Sequence, residues 1–294
     1  WCNESQERYV LAIDRSRLAV FQTLCQRERC PFAVLGHADD SGCFQLTSKD
    51  FEQPLVDLAC SDLLEKMPRM QRESALPVNL SDCFRETDIQ LTDAVRQVLQ
   101  LPAVAGKRFL VHIADRTVGG LTAQDQCVGP WQTPVSNVGV TLADYVGFRG
   151  EAMSMGERAP LAMIDAAASA RMAVGEAITN LLSAPINSLD QVVFSANWMA
   201  APNYAQQGAA LYQAVSAITE DFCTQLGIAI PVGKDSLSMR SQWKHEDEEF
   251  EVMSPVSLVV SALAPLDDVR LTITPQLVVD ESTRCLLIDL GQGQ

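Results

Sequence analysis

Apolar residues recur along the chain in two periods, and these predict an alternation of strands and helices. Short apolar runs predict strands at residues 9–13, 32–36 and 42–47, the last entered through the turn residues Asp39, Asp40, Ser41 and Gly42. Helical spacing predicts a helix over 15–27, with Leu18, Phe21, Leu24 and Cys25 on one face, and a short one over 57–66. Residues 68–88 are polar without a clear period and read as a surface crossing that leaves the first domain. A helix is predicted over 91–101, capped by Asp88 or Thr92 and stopped by Pro102. Strands follow at 108–114 and 135–142, around a turn at Gly119-Gly120.

The Ala-rich stretch 160–184 predicts a long helix with Pro160 in its first turn. Beyond it come a strand at 191–196, a helix at 205–226 and strands at 228–232, 256–263 and 271–274. The mixture reads as an α/β fold (α+β layers), with mixed or antiparallel sheets covered by helices. No short-period repeat is present.

Bulk properties narrow the function. A length of 294 residues suffices for two domains, and 47% hydrophobic against 20% charged residues fits packed globular protein rather than disorder. The longest apolar stretch, 161–184, is interrupted by Asp165, Arg171, Glu176 and Asn180, which speaks against a membrane helix. A net charge of −15 repels phosphate backbones, so nucleic acid is a poor candidate partner. A nucleotide is still admissible, through metal ions and backbone N–H groups.

Nine cysteines in an odd set, none in C-x-x-C spacing, read as reduced thiols of a cytoplasmic protein, several of them core filler. Three histidines, His37, His112 and His245, lie far apart and give little support to a histidine metal site. The first residue is Trp1, and the final run 285–291 reads as a strand in need of more chain to pair with, so an internal fragment is expected.

Three constellations carry candidate chemistry. On the long helix Asp165, Ser169, Glu176 and Asn180 fall on one line among apolar positions. Such a stripe of oxygen donors suits a hard cation such as Mg²⁺; taken by itself it more often marks the solvated side of an amphipathic helix. The Gly-containing loop 231–236 (PVGKDS) follows a strand and reads as a turn or as an anion cradle, although it lacks the first glycine of a P-loop. The run 150–158 (GEAMSMGER) reads as a segment folded against a core or a ligand, or as the lead-in to the helix with Glu157 at its positive end. Weaker features have bland readings: His112 a satisfied strand residue, Cys127 structural, and 245–249 (HEDEE) a solvated acidic loop between strands.

Seven strings in order resemble a known family: CNESQERYV at 2–10, CQRERCPFAV at 25–34, DRTVGGLTAQDQCVGPWQTPV at 115–135, GEAMSMGERAP at 150–160, SARMAVGEAITN at 169–180, SANWM at 195–199 and PVGKDSLSM at 231–239. Together they resemble formylglycinamide ribonucleotide amidotransferase in its long single-chain form. That enzyme uses ATP to activate the formamide oxygen of its substrate, and ammonia from glutamine then displaces phosphate to give the amidine.

The resemblance implies aminoimidazole ribonucleotide synthetase-like domains, laid out as 1–90 (second domain of one repeat), 91–265 (first domain of the next) and 266–294 (the start of the last). It implies that the catalytic residues lie outside this chain. It also implies that 91–265 holds an auxiliary site for ADP or ATP with Mg²⁺: Glu176, Asn180 and Asn137 on metal-ligand positions, Ser136 as a nucleotide contact and Lys107 as a further one. The family usually has Asp where Asn137 stands, and the exchange removes a negative charge from the metal. Expected partners are a nucleotide and the remaining domains of the same polypeptide, with an artificial dimer of the fragment as a further possibility. Two other readings compete: a scaffold that binds nothing, and a separate synthase or kinase of the same superfamily. The strings SANWM and GKDSLSM argue against the second.

Overall fold

A computed structural model describes residues 7–64, 71, 73–75, 89–113, 115–117, 120–134, 136–204 and 206–288. Two compact units divide the chain, residues 1–71 and 72–294.

In the first unit a short 3-10 turn, Arg15–Arg17, is capped by Asp14, whose carboxylate accepts from the Ser16 N–H at 2.8 Å. It runs into α1 (Leu18–Arg27). Phe21 on α1 meets Phe32 edge to face, with ring centroids 5.5 Å apart. β1 (Cys43–Leu46) pairs antiparallel with β2 (Val56–Ala59), which leads directly into α2 (Cys60–Leu64). The helix expected over 57–66 is thus strand first and helix second. Residues 9–13 and 32–36 form no strand, because no described strand lies beside either to accept its backbone hydrogen bonds.

The second unit opens with α3 (Leu91–Gln100) and α4 (Arg108–Ile113). Gln90 stands at the N-cap of α3 without a side-chain cap bond. Thr92 lies inside the helix, and Asp88, the other expected cap, lies outside the described residues. The strand expected over 108–114 is α4, which also moves His112 from a sheet to a helix. An unbroken apolar run carries no period to separate the two states.

Three short strands follow: β3 (Thr122–Gln124), β4 (Cys127–Val128) and β5 (Thr133–Pro134). Next come β6 (Val138–Leu142), β7 (Gly150–Glu157), α5 (Ala166–Leu181) and β8 (Val193–Met199). After α6 (Gln207–Ser216) a π turn, Ala217–Phe222, joins it to α7 (Cys223–Leu226). The chain closes with β9 (Ala229–Ser236), the hairpin of β10 (Arg240–His245) and β11 (Glu248–Met253), and β12 (Ser257–Leu266). Past β12 a 3-10 turn, Val269–Leu271, replaces the strand expected over 271–274.

One mixed sheet of six strands organises this unit, in the order β3-β6-β7-β12-β8-β9, antiparallel throughout except for the parallel pair β8–β9. Helices α5 and α6 cover one face. That face presents Val138 and Val140 of β6, Ala152 of β7, Val260, Ala262 and Ala264 of β12, and Phe194 and Ala196 of β8, all buried. Leu181 and Ile218 close over them from the helical layer. The opposite face leaves Met153, Met155, Val193 and Val232 exposed.

Two expectations about loops are corrected by this sheet. Residues 231–236 lie within strand β9, and 150–157 are all of β7. Small residues Gly150, Ala152, Ser154 and Gly156 alternate with Glu151, Met153, Met155 and Glu157, and only the small set is buried. The expected solvated loop at 245–249 is the tip of the β10–β11 hairpin, with Glu248 and Glu249 already in the strand.

Candidate functional site

The site is built where α5 crosses the far end of β7. Asp165 does not belong to a metal stripe: it is the N-cap of α5, extended at φ −148°, and its carboxylate accepts from the Ala168 N–H at 2.8 Å. The residues before it, Ala159–Met163, form a 3-10 helix that carries Pro160, so α5 begins later than the sequence predicts.

The remaining residues of the stripe, Ser169, Glu176 and Asn180, each hydrogen-bond to backbone. Ser169 donates to the Arg158 carbonyl at 2.7 Å. Glu176 accepts from the Glu157 N–H at 2.9 Å, and Asn180 donates through Nδ2 to the Met155 carbonyl at 2.9 Å. From the strand side, the Ser154 hydroxyl donates to the Ala177 carbonyl at 2.6 Å.

The reason is the length of β6. It begins at Val138, opposite Ser154, so β7 runs on past it with no strand on that side among the described residues. Side chains of α5 supply the hydrogen bonds that a neighbouring strand would make. Close approach makes this possible, because a Cβ on Gly156 would sit 2.1 Å from the Ala173 carbonyl oxygen.

The start of β6 brings the other expected residues alongside. Asn137 donates through Nδ2 to Asn180 Oδ1 at 3.3 Å. Ser136 precedes it, its hydroxyl donating to the Val138 carbonyl at 2.8 Å and its N–H to the Gln126 carbonyl at 3.3 Å. Glu176 lies one turn before Asn180, with Arg158 as its counter-charge at 3.5 Å. Glu176, Asn180, Asn137 and Ser136 therefore share one end of the sheet. Lys107 bonds within its own loop, to the Ala105 carbonyl at 2.8 Å, and among the described contacts it meets none of the other four.

Sequence reasoning missed Arg158, Ser154 and Gly156. The alternation of small and large residues in GEAMSMGE was the available signal. Among the described residues no group of three or more His, Cys, Asp or Glu side chains converges. At the opposite end of the sheet a shallow cavity of about 350 Å³ is lined by Arg149, Glu151, Asn187, Gln191 and Asp267 among others.

The sequence pattern of this unit matches a family model described as the FGAR-AT PurM_N-like domain over residues 106–265. The chain belongs to that family. Three solved structures resemble this chain. PurLQS from Thermotoga maritima is 16% identical with a TM-score of 0.50, the match covering 80% of this chain and 33% of that one. T. maritima PurL complexed with ATP is 16% identical with a TM-score of 0.46, covering 77% and 32%. T. maritima PurL complexed with FGAR is 16% identical with a TM-score of 0.46, covering 80% and 32%. At that identity the likeness to PurLQS establishes the fold. The chain spans about a third of the length of these structures. No helix among its described residues is long and apolar enough to cross a membrane.

Proposed function

We propose that this chain is a non-catalytic part of a cytoplasmic, ATP-dependent formylglycinamide ribonucleotide amidotransferase, and that the end of β7 is a structural half-site for Mg²⁺ with ADP or ATP. The observation that carries the reading is the convergence of Asn137, Glu176 and Asn180, three oxygen-bearing side chains, one from the residue before β6 and two from α5. Their chemistry fits a hard cation that retains waters and takes its remaining oxygens from phosphates.

Two rearrangements accompany loading. Asn137 turns its amide so that Oδ1 rather than Nδ2 faces Asn180, and the half-exposed Arg158 swings off the Glu176 carboxylate. With a single carboxylate the metal binds weakly alone and well only with a nucleotide. Ser136, beside Asn137, is the nearest nucleotide contact, and Lys107 reaches the phosphates only by leaving Ala105.

The domain layout 1–90, 91–265 and 266–294 belongs to the same reading. So does cover for the apolar sheet face by the remaining domains of the polypeptide, since Met153, Met155, Val193 and Val232 stand exposed there.

Calorimetric titration of ADP into the chain, with and without Mg²⁺, tests the half-site. Binding is expected only with the metal, and Glu176→Gln is expected to weaken it at least about tenfold by removing the one anionic ligand. No binding at all returns the chain to the scaffold reading, and metal-independent binding overturns the half-site as drawn.

A further inference from the structure

Helix α1 ends in a motif that places two cysteines side by side. The Arg29 N–H donates to the Gln26 carbonyl at 3.2 Å, and the Cys30 N–H donates to the Cys25 carbonyl at 2.8 Å. Arg29 is left-handed, at φ 53°. These are the two nested bonds of a Schellman ending, and in that motif the residues that close the outer bond bring their side chains into contact. Here both are cysteine.

Geometry admits a bond between them. With standard bond lengths on either side of the 2.8 Å hydrogen bond, the two Cα atoms lie within about 6.7 Å of each other. Disulfides span Cα separations of about 4.4–6.8 Å. Both thiols are free, Cys25 buried and Cys30 exposed, with the Cys30 thiol turned toward the Pro31 carbonyl at 3.9 Å. Burial, and then the neighbouring Cys30 sulfur, hold the Cys25 thiol above its ordinary pKa.

We infer that Cys25 and Cys30 form a reversible disulfide that staples the C-terminal end of α1, with Cys30 as the attacking thiol and Cys25 as the resolving one. The oxidant is a low-molecular-weight disulfide such as oxidised glutathione. The Cys30 thiolate attacks one of its sulfurs, forms a mixed disulfide and expels one glutathione thiolate, which takes up the proton Cys30 has lost. Cys25, once deprotonated, attacks the Cys30 sulfur, forms the internal bond and expels the second glutathione. The protein loses two electrons and two protons, and the reagent is reduced to two thiols. Because the Cys25 thiol is held protonated, the second step accelerates as pH rises.

The test incubates the full chain, in a Cys43→Ser background, with oxidised glutathione, blocks remaining thiols and maps tryptic peptides by mass. The serine is needed because Cys30 and Cys43 share the peptide 30–49. Expected is peptide 18–27 joined to 30–49 with the loss of two hydrogens, reversed by dithiothreitol. Cys30→Ser is expected to leave Cys25 unmodified. The equilibrium constant for closure against glutathione is expected to be at least about tenfold higher in native buffer than in urea, since the fold supplies the proximity. A glutathione adduct that stops at Cys30 with Cys25 free overturns the inference, as does equal closure in urea. Neither readout requires a variant at the buried cysteine.

Discussion

Gly156 has no room for a methyl group. Its Cβ position lies 2.1 Å from the Ala173 oxygen and 2.4 Å from the Ala177 nitrogen, both backbone atoms that a side-chain rotation cannot move. Gly156→Ala is expected to lift α5 from β7 and cost about 3 kcal/mol, read as a lower urea midpoint with an unchanged slope. An unshifted midpoint would mean that α5 rides further from the strand.

A second residue-scale prediction concerns Asp268. The Arg270 guanidinium bonds its carboxylate, with Nε 2.9 Å from Oδ1, and the Arg270 N–H adds a bond at 3.0 Å; together they lower its pKa to about 2. Arg270 also lies over the Phe148 ring, 3.6 Å from its centroid. A depressed carboxylate stabilises the fold at pH values above its unfolded pKa, and that contribution is lost as pH falls through the folded value. Acid titration followed by tryptophan fluorescence should therefore show Asp268→Asn losing stability relative to the parent at neutral pH, with the difference closing toward pH 2. A difference that persists to pH 2 would point to packing rather than charge.

At the scale of elements, the hairpin of β10 and β11 turns through Glu246 at φ 49° and Asp247 at φ 71°. Two left-handed residues between antiparallel strands make a primed turn, which asparagine and glycine enter with less strain. Glu246→Asn with Asp247→Gly is expected to stabilise the second unit by about 1 kcal/mol, raising its thermal midpoint by about 2–4 °C. The stacked Trp243 and Phe250 rings, 5.6 Å apart, hold the register while the turn is exchanged.

Element type was legible in the sequence where the period was strong. Helices α1, α3 and α6 and strands β1, β6, β8 and β12 fall on predicted runs. β7 was not legible because its buried positions are Gly, Ala, Ser and Gly, which alternate in size but hardly in hydrophobicity. The run RFLVHI fits a buried strand and a helix equally, and the chain takes the helix. The candidate site was half legible. Helical spacing put Glu176 and Asn180 on one line, but their partners on β7 depend on where β6 begins, which no local pattern encodes.

For the whole molecule, the two units divide near residue 71, and the core cluster of the second runs from Val138 to Val269. The matched family region stops at 265, before Leu266 completes β12 and before Val269 and Arg270 pack. A chain of residues 89–288 is therefore expected to unfold in one cooperative thermal transition. Residues 89–265 alone should melt several degrees lower, having lost two buried aliphatic side chains and the cover on Phe148. Equal midpoints in calorimetry would show that the segment beyond 265 adds nothing.

The strand order has a consequence for biosynthesis. β12 sits in the middle of the sheet, between β7 and β8, yet it is the last of the six strands to be made. Its register joins Val259 to Glu157 across about a hundred residues, so at ordinary translation speeds β7 waits about 5–20 s for its inner neighbour. During that interval the nascent chain carries two unfinished half-sheets with bare hydrogen-bonding edges facing one another. Ribosome-associated chaperones, or slow decoding before residue 257, would matter most for this chain in that window.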